Sequence, residues 1–205
     1  MLDSLFSGLA DLSSNPWFYA IIFAIALLDS VVPVVPSETT VILGGIAAGQ
    51  GHLLLALVIL FGASGAVAGD SIAYWIGRRA GDWLQRSFFH KPSRQQRLEW
   101  AKGQLETRGG MLLVTARFIP GGRTAITLSS GLTKQDYRRF LAFDTLAGLL
   151  WATYAGSLGY FFGNKFKDNH TAAFLYAFGA ALSVTALIEG IRWLRHRNVG
   201  EELSA

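Results

Sequence analysis

Two arginines, Arg117 and Arg123, flank the run Pro120-Gly121-Gly122 inside an otherwise apolar stretch. A charge at the centre of a bilayer costs at least about 2.5 kcal/mol on insertion scales, so two such charges require a reason. A guanidinium presents a planar fork of donors that suits phosphate, and Gly121 and Gly122 allow a ligand close to the backbone. A helix that restarts just after the glycines would also aim free N–H groups at an anion. We therefore predict that Arg117, Arg123, Gly121 and Gly122 bind a substrate phosphate.

Two aspartates, Asp70 and Asp144, are the acids in the neighbouring apolar segments. Each lies several residues from the basic end of its segment, at a depth that the arginines can reach. We assign Asp144 as a structural ion-pair partner and Asp70 to proton coupling or gating. The alternative, that these acids and the arginines form only structural ion pairs, stays open. Asp29 lies near a segment end and is expected to be interfacial.

Glu38 follows Pro36-Ser37 and is predicted to lie in the first turn of a returning half-helix. Ser37 is a suitable N-cap, and the positive end of a helix favours a carboxylate, so Glu38 could simply cap that helix. Burial and nearby arginines, however, act in opposite directions on the proton affinity of a carboxyl group. We therefore predict a proton-coupling or gating role for Glu38.

The composition places these residues in a membrane protein. Of the 205 residues, 51% are hydrophobic, and the apolar residues fall in long runs. The chain has no cysteine, its four histidines lack metal-ligand spacing, and no nucleotide-binding fingerprint is present. We therefore predict no metal and no cofactor. The net charge of +4 is gathered in loops, which argues against a nucleic-acid partner.

Helix breakers divide the apolar stretches into two kinds. Four stretches are predicted to contribute membrane-spanning helices: 17–28, 53–76, 140–162 and 171–188. Two others, 31–49 and 111–131, are broken near the middle by Pro36 and Pro120. Broken backbone at membrane depth is tolerated only where protein or a watery cavity surrounds it. Both stretches are therefore predicted as re-entrant hairpins.

The basic residues predict the orientation. With the 78–108 loop in the cytoplasm, 14 basic residues outside the hairpins lie inside and two lie outside. Both termini are then cytoplasmic, with an N-terminal segment at 1–16, a transmembrane domain at 17–195 and a tail at 196–205.

The two halves of the chain resemble each other. An offset of 82 residues pairs Gly49 with Gly131, Gly77 with Gly159 and Gly81 with Gly163, although a few glycines could match by chance. Because one spanning helix separates the hairpins, they must enter from opposite faces. Inverted repeats of this kind recur in transporters. The predicted fold is an all-α polytopic membrane protein with about four transmembrane helices and two opposed re-entrant hairpins.

Three motifs in order resemble the DedA family of bacterial membrane proteins: PSETTVILGG, GDSIAYWIGRRAG and ARFIPGGRT. The domain of this family, called VTT or SNARE-associated, is shared with eukaryotic lipid scramblases. The resemblance implies a flippase of the bacterial cytoplasmic membrane that moves undecaprenyl phosphate or a phospholipid such as phosphatidylethanolamine and depends on the proton motive force. It maps the functional acid to Glu38 and the motif arginines to Arg117 and Arg123. Some members carry a second acid where this chain has Gln50, so the coupling ion stays open.

Two other classes of function stay open. A small-solute or ion secondary transporter could use the same inverted hairpins. A membrane-embedded enzyme acting on lipid phosphates would need a nucleophile or metal set near the arginines, and neither hairpin contains a histidine or an acid cluster. We therefore predict that the protein is not an enzyme. Its predicted partners are phosphate-bearing membrane lipids and protons, and a homo-oligomer is left open.

Overall fold

A computed structural model describes residues 15–31, 37–87, 103, 105, 107–115, 117, 122–166, 172–181 and 183, with the side chains of 82–87 excepted. Every regular element in these ranges is helical, which confirms the predicted all-α class. In chain order the helices are α1 Phe18–Val31, α2 Ser37–Gly49, α3 Leu55–Ser87, α4 107–115, α5 Gly122–Leu132, α6 Tyr137–Lys165 and α7 Ala172–Ala181. The predicted breaks at Pro36 and Pro120, with Gly121, lie outside the described residues.

Two long antiparallel helices, α3 and α6, form the centre of the fold. They contain 33 and 29 residues, or about 50 and 44 Å, against about 30 Å of bilayer hydrocarbon. Among the described helices, one is long and apolar enough to cross a membrane, judged by length and composition alone. It is the 27-residue part of α3 from Leu55 to Gly81, whose mean hydropathy is 1.8. The antiparallel direction follows from contacts of Gly156 with Leu55 and of Phe140 with Tyr74.

Helix α1 reaches only halfway along α3. It begins level with the start of α3, where the Leu54 N–H donates to Tyr19 Oη at 2.8 Å. It ends level with the middle of α3, where Ser30 Oγ donates to the Ala66 carbonyl at 3.1 Å. Its 14 residues extend about 21 Å, less than the hydrocarbon thickness. The predicted spanning helix at 17–28 is therefore a half-length helix in the structure.

Helix α2 returns toward the end at which α1 begins. Gly49, its last residue, packs against the backbone of Tyr160 and Asn164 near the end of α6, which lies beside the start of α3. Helices α1 and α2 thus form one helical hairpin, whose connection at 32–36 lies outside the described residues. In the described residues α1 is the limb that precedes α2, and the predicted re-entrant segment at 31–49 stays a prediction.

Helices α4 and α5 form a second hairpin from the opposite end of α3 and α6. Gly110 in α4 lies against Phe143 of α6, and Gln135 Nε2, just after α5, donates to the Leu105 carbonyl at 3.3 Å. The connection between the limbs carries Arg117 to the middle of α6, and α5 then starts beside the middle of α3. The two hairpins therefore approach the same level from opposite ends.

The returning helix of each half packs against the long helix of the other half. Gly45 in α2 lies against the Gly156 carbonyl of α6, and Gly131 in α5 lies against the Tyr74 carbonyl of α3. A methyl group at Gly45 or Gly131 would overlap that backbone, so the helices can approach closely only because the Cβ atom is missing. Gly131 is also one of the glycines that the sequence offset pairs, with Gly49 as its counterpart.

Candidate functional site

Asp70 is the centre of a charged network at the level where the two hairpins meet. It lies near the middle of α3, and its side chain is fully buried. Arg117 Nη2 donates to Asp70 Oδ2 at 3.2 Å, and Arg123 Nε donates to Asp70 Oδ1 at 3.0 Å. Because each carboxylate oxygen receives a charged donor, the cost of burying Asp70 is offset. The carboxylate thereby joins one arginine from each side of the 118–121 connection.

Arg117 is the deeper of the two arginines. Its side chain is 2% exposed, and Nη1 lies 3.6 Å from Asp144 Oδ1 on α6. Its guanidinium carbon lies 5.6 Å from the centroid of the Trp151 ring, a cation–π distance. Within the described residues, Arg117 Nε and Asp144 Oδ2 have no hydrogen-bond partner. Asp144 is thus in the ion-pair position that the sequence predicts, and its structural role stays a prediction.

Arg123 uses all three of its nitrogens and is less buried. Besides the Nε bond to Asp70, Nη1 lies 3.5 Å from Asp29 Oδ2, and Nη2 donates to Ser30 Oγ. The Arg123 and Asp29 side chains are 13% and 20% exposed, so this end of the network is partly accessible. Gly122, the first residue of α5, precedes Arg123. The helix start predicted beside the motif is therefore present.

Asp29 and Ser30 are site residues that the sequence analysis missed. Asp29 was expected at the membrane interface because it follows an apolar segment. In the structure, α1 ends halfway along α3, so its last residues reach the network rather than an interface. A signal was available: Asp29-Ser30 ends three residues before Pro33, the first proline of its stretch, just as Arg117 lies three residues before Pro120.

Glu38 lies beside the network. It occupies the first turn of α2 and is partly buried, and within the described residues it makes no ion pair with Arg117 or Arg123. Its neighbour Ser37 donates from Oγ to Asp29 Oδ2 at 2.6 Å. Asp29 is close enough to repel the Glu38 carboxylate electrostatically. Glu38 therefore lies next to Asp29, the acid that pairs directly with the partly exposed end of Arg123.

The network carries more negative than positive formal charge. The carboxylates of Asp29, Asp70 and Asp144 face the guanidinium groups of Arg117 and Arg123. With all groups ionised the sum is −1, so the arginines are already neutralised before any ligand arrives. An anion can bind here only if it replaces a carboxylate or if a carboxylate is protonated.

Comparisons with known proteins agree on one family. The family model described as the VTT domain matches residues 35–161. The chain is 31% identical over 193 residues to a membrane protein of Synechocystis, covering 92% of this chain and 87% of that protein. It is 30% identical to Protein DedA of Escherichia coli, covering 72% of this chain and 69% of DedA. Inner membrane protein YohD of Escherichia coli is also 30% identical, over 76% of this chain and 81% of YohD. No solved structure matches the chain significantly.

Proposed function

The chain belongs to the DedA family of VTT-domain membrane proteins, and on this basis we propose that it is a lipid flippase rather than an enzyme. Its substrate is a phosphate-bearing lipid, either undecaprenyl phosphate or a phospholipid such as phosphatidylethanolamine. The proposed location is the bacterial cytoplasmic membrane, in line with the name of its relative, inner membrane protein YohD. No metal or cofactor takes part in this proposal.

The observation that carries the proposal is the partly exposed ion pair between Arg123 and Asp29. It lies where two helical hairpins from opposite ends meet, and it adjoins the buried pair of Arg117 and Asp70. A cation at this depth can receive a head-group phosphate while the acyl or prenyl chain stays in lipid. The opposed hairpins would provide an opening toward each face in turn, as inverted-repeat transporters do.

Binding would proceed by exchange of anions at Arg123. A lipid phosphate that replaces Asp29 would keep Nη1 of the guanidinium paired, while Nε stays bonded to Asp70. Protonation of Asp29 would favour the exchange by removing the competing carboxylate. Glu38, which adjoins Asp29 through Ser37, would receive or supply that proton. Asp70 would act in gating, because it ties Arg123 to Arg117.

The proposed topology differs from the sequence prediction at the N-terminus. The basic segment 78–108, predicted as a loop, includes the C-terminal end of α3 and the start of α4, and it stays on the cytoplasmic side because of its basic residues. Since α1 reaches only the middle of α3, residues 15–17 lie at the end of α3 opposite to that loop. The start of α1 is therefore assigned to the non-cytoplasmic face, and both hairpins are re-entrant.

The acid excess of the network favours a second candidate, a proton or cation transporter. Three carboxylates around two guanidinium groups, with Glu38 beside them, could carry cations along the same path. In that case the arginines would be fixed countercharges and no phosphate would reach them.

A reconstitution experiment distinguishes these functions. The purified protein would be placed in liposomes with labelled undecaprenyl phosphate, phosphatidylethanolamine or phosphatidylglycerol, with and without a pH gradient. Movement of at least one of these lipids between leaflets, faster with the gradient, supports the proposal. Collapse of the pH gradient without lipid movement supports the cation transporter. In a parallel assay with undecaprenyl pyrophosphate, release of inorganic phosphate by the pure protein supports an enzyme.

A further inference from the structure

A polar cavity of about 530 Å³ lies at the end of α3 that carries the basic loop. Its lining residues come from the C-terminal half of α3 and from the turn between α5 and α6: Trp75, Arg78, Lys134, Gln135, Asp136, Tyr137 and Arg138. The volume is within the range of about 300–1,000 Å³ that is usual for ligand clefts. Nothing in the proposed transport cycle uses this cavity.

The cavity is cationic. Arg78, Lys134 and Arg138 contribute three positive charges, and Asp136 contributes the one carboxylate of the lining. That carboxylate is already engaged as the N-cap of α6, accepting from the backbone N–H of Arg139 at 2.8 Å. The lining therefore has a formal charge of +2 and suits an anionic group.

Aromatic rings hold the cavity in shape and border an apolar surface. The rings of Trp75 and Tyr137 lie 5.6 Å apart, and the Arg78 guanidinium lies over the Trp75 ring at 5.5 Å. Trp75 is 44% exposed, and its neighbours Ile72 and Ile76 on α3 are 44% and 48% exposed. Cations beside an exposed tryptophan and apolar side chains are typical of a membrane interface, where a head group is bound above its acyl chains.

A buried aromatic layer separates the cavity from the arginine network. Along α3, Asp70, Tyr74 and Arg78 follow each other at intervals of one turn. Tyr74 and Phe140 are fully buried and stack with centroids 4.8 Å apart. Tyr74 Oη accepts from Arg78 at 2.8 Å and donates to the Gln135 carbonyl at 2.5 Å. The cavity is thus a separate site, one helical turn beyond that layer.

We propose that this cavity binds the phosphate head group of an anionic phospholipid from the leaflet on the side of the basic loop. Arg78 and Arg138 contact the phosphate, and the acyl chains lie along the exposed face formed by Ile72 and Ile76. Such binding does not require transport. The proposal of a lipid site can therefore be right or wrong independently of the flippase proposal.

The test uses the purified, delipidated full chain in a neutral detergent, where no membrane surface potential contributes. Native mass spectrometry would measure binding of phosphatidylglycerol, phosphatidylcholine and glycerol 3-phosphate. The site variant is Arg78→Gln with Arg138→Gln. The matched control is Arg79→Gln with Arg139→Gln, which removes the same charge from exposed neighbours outside the cavity lining.

We expect phosphatidylglycerol to bind more tightly than the other two ligands. The site variant should weaken that binding on the order of tenfold for each charge-assisted hydrogen bond lost, and the control should leave it unchanged. Because Arg78 also bonds to Tyr74, Arg138→Gln alone serves as a second variant and should show part of the loss. Equal losses in the site and control variants, no loss in either, or equally tight binding of phosphatidylcholine or glycerol 3-phosphate would overturn the proposal.

Discussion

Asp29 and Arg123 form an ion pair across 3.5 Å in which both side chains keep some exposure, 20% and 13%. The neighbouring pair of Arg117 and Asp70 spans 3.2 Å, and its side chains are 2% and 0% exposed. The two arginines of one motif therefore have different environments. We therefore propose a structural role for Arg117 and exchange of the bound anion at Arg123, so the expected effects of replacing the two residues differ.

Replacing Arg117 should destabilise the protein more than replacing Arg123. Arg117→Ala leaves Asp144 unpaired and Asp70 with one partner, and breaking a buried pair costs about 3–5 kcal/mol. Arg123→Ala leaves Asp70 paired with Arg117 and should cost less. Thermal unfolding in detergent measures both changes, with Arg139→Ala as the surface control. Equal destabilisation by the two variants would contradict the assigned difference.

Glycine substitutions test the reciprocal packing of the two halves. A methyl group at Gly49 or Gly131 would overlap backbone atoms of Tyr160 or Tyr74. Gly49→Ala and Gly131→Ala should therefore each destabilise the protein by about 1–3 kcal/mol. Among the described residues, no atom lies within 4 Å of a Cβ added at Gly179 in α7, so Gly179→Ala is the matched control. It should be neutral or stabilising, since alanine favours helix by about 1 kcal/mol over glycine. If Gly179→Ala destabilised the protein as much as the other two variants, close packing of the helices at Gly49 and Gly131 would not explain their effect.

Labelling of single cysteines tests the topology. The chain has no cysteine, so Asn15→Cys, His52→Cys and Arg138→Cys each give one reactive position. All three residues are exposed. Because α1 and α3 begin at the same end, Asn15→Cys and His52→Cys should react with an impermeant reagent from one face. Arg138→Cys should react from the other. Reaction of Asn15→Cys and Arg138→Cys from the same face would show that α1 crosses the membrane.

Removing the charge of Asp29 tests the exchange mechanism. Asp29→Asn keeps an oxygen that can accept from Ser37 and removes the carboxylate that competes for Arg123. We expect lipid transport to continue and to lose its acceleration by a pH gradient. Glu38→Gln is the comparison variant. The exchange mechanism would be contradicted if Asp29→Asn kept the full acceleration by the pH gradient and Glu38→Gln abolished it. Proton coupling would then depend on Glu38, and the lipid phosphate would not need to replace Asp29.

Charged residues in apolar segments were sufficient to predict part of the site. Arg117, Arg123, Asp70 and Asp144 were identifiable because a charge at membrane depth requires a partner. The same reasoning missed Asp29, because hydropathy does not distinguish a helix that crosses from a limb that turns back.

The ion-pair geometry could not be predicted for a related reason. The level at which α1 ends depends on its packing against Gly65 and Gly69 of α3, where the Phe23 and Leu27 carbonyls lie against the glycine backbone. Such contacts join residues about 40 positions apart in the sequence. They decide that Asp29 rather than Glu38 reaches Arg123.

Lipid transport by Arg123→Ala in liposomes tests the central claim most directly. The variant would be compared with wild type and with Arg139→Ala, after its insertion and thermal unfolding have been measured. We expect Arg123→Ala to insert and remain folded but to transport no phosphate-bearing lipid. Arg139→Ala should transport the lipid at the wild-type rate. Wild-type transport by folded, reconstituted Arg123→Ala would contradict a role for this guanidinium in holding the lipid phosphate.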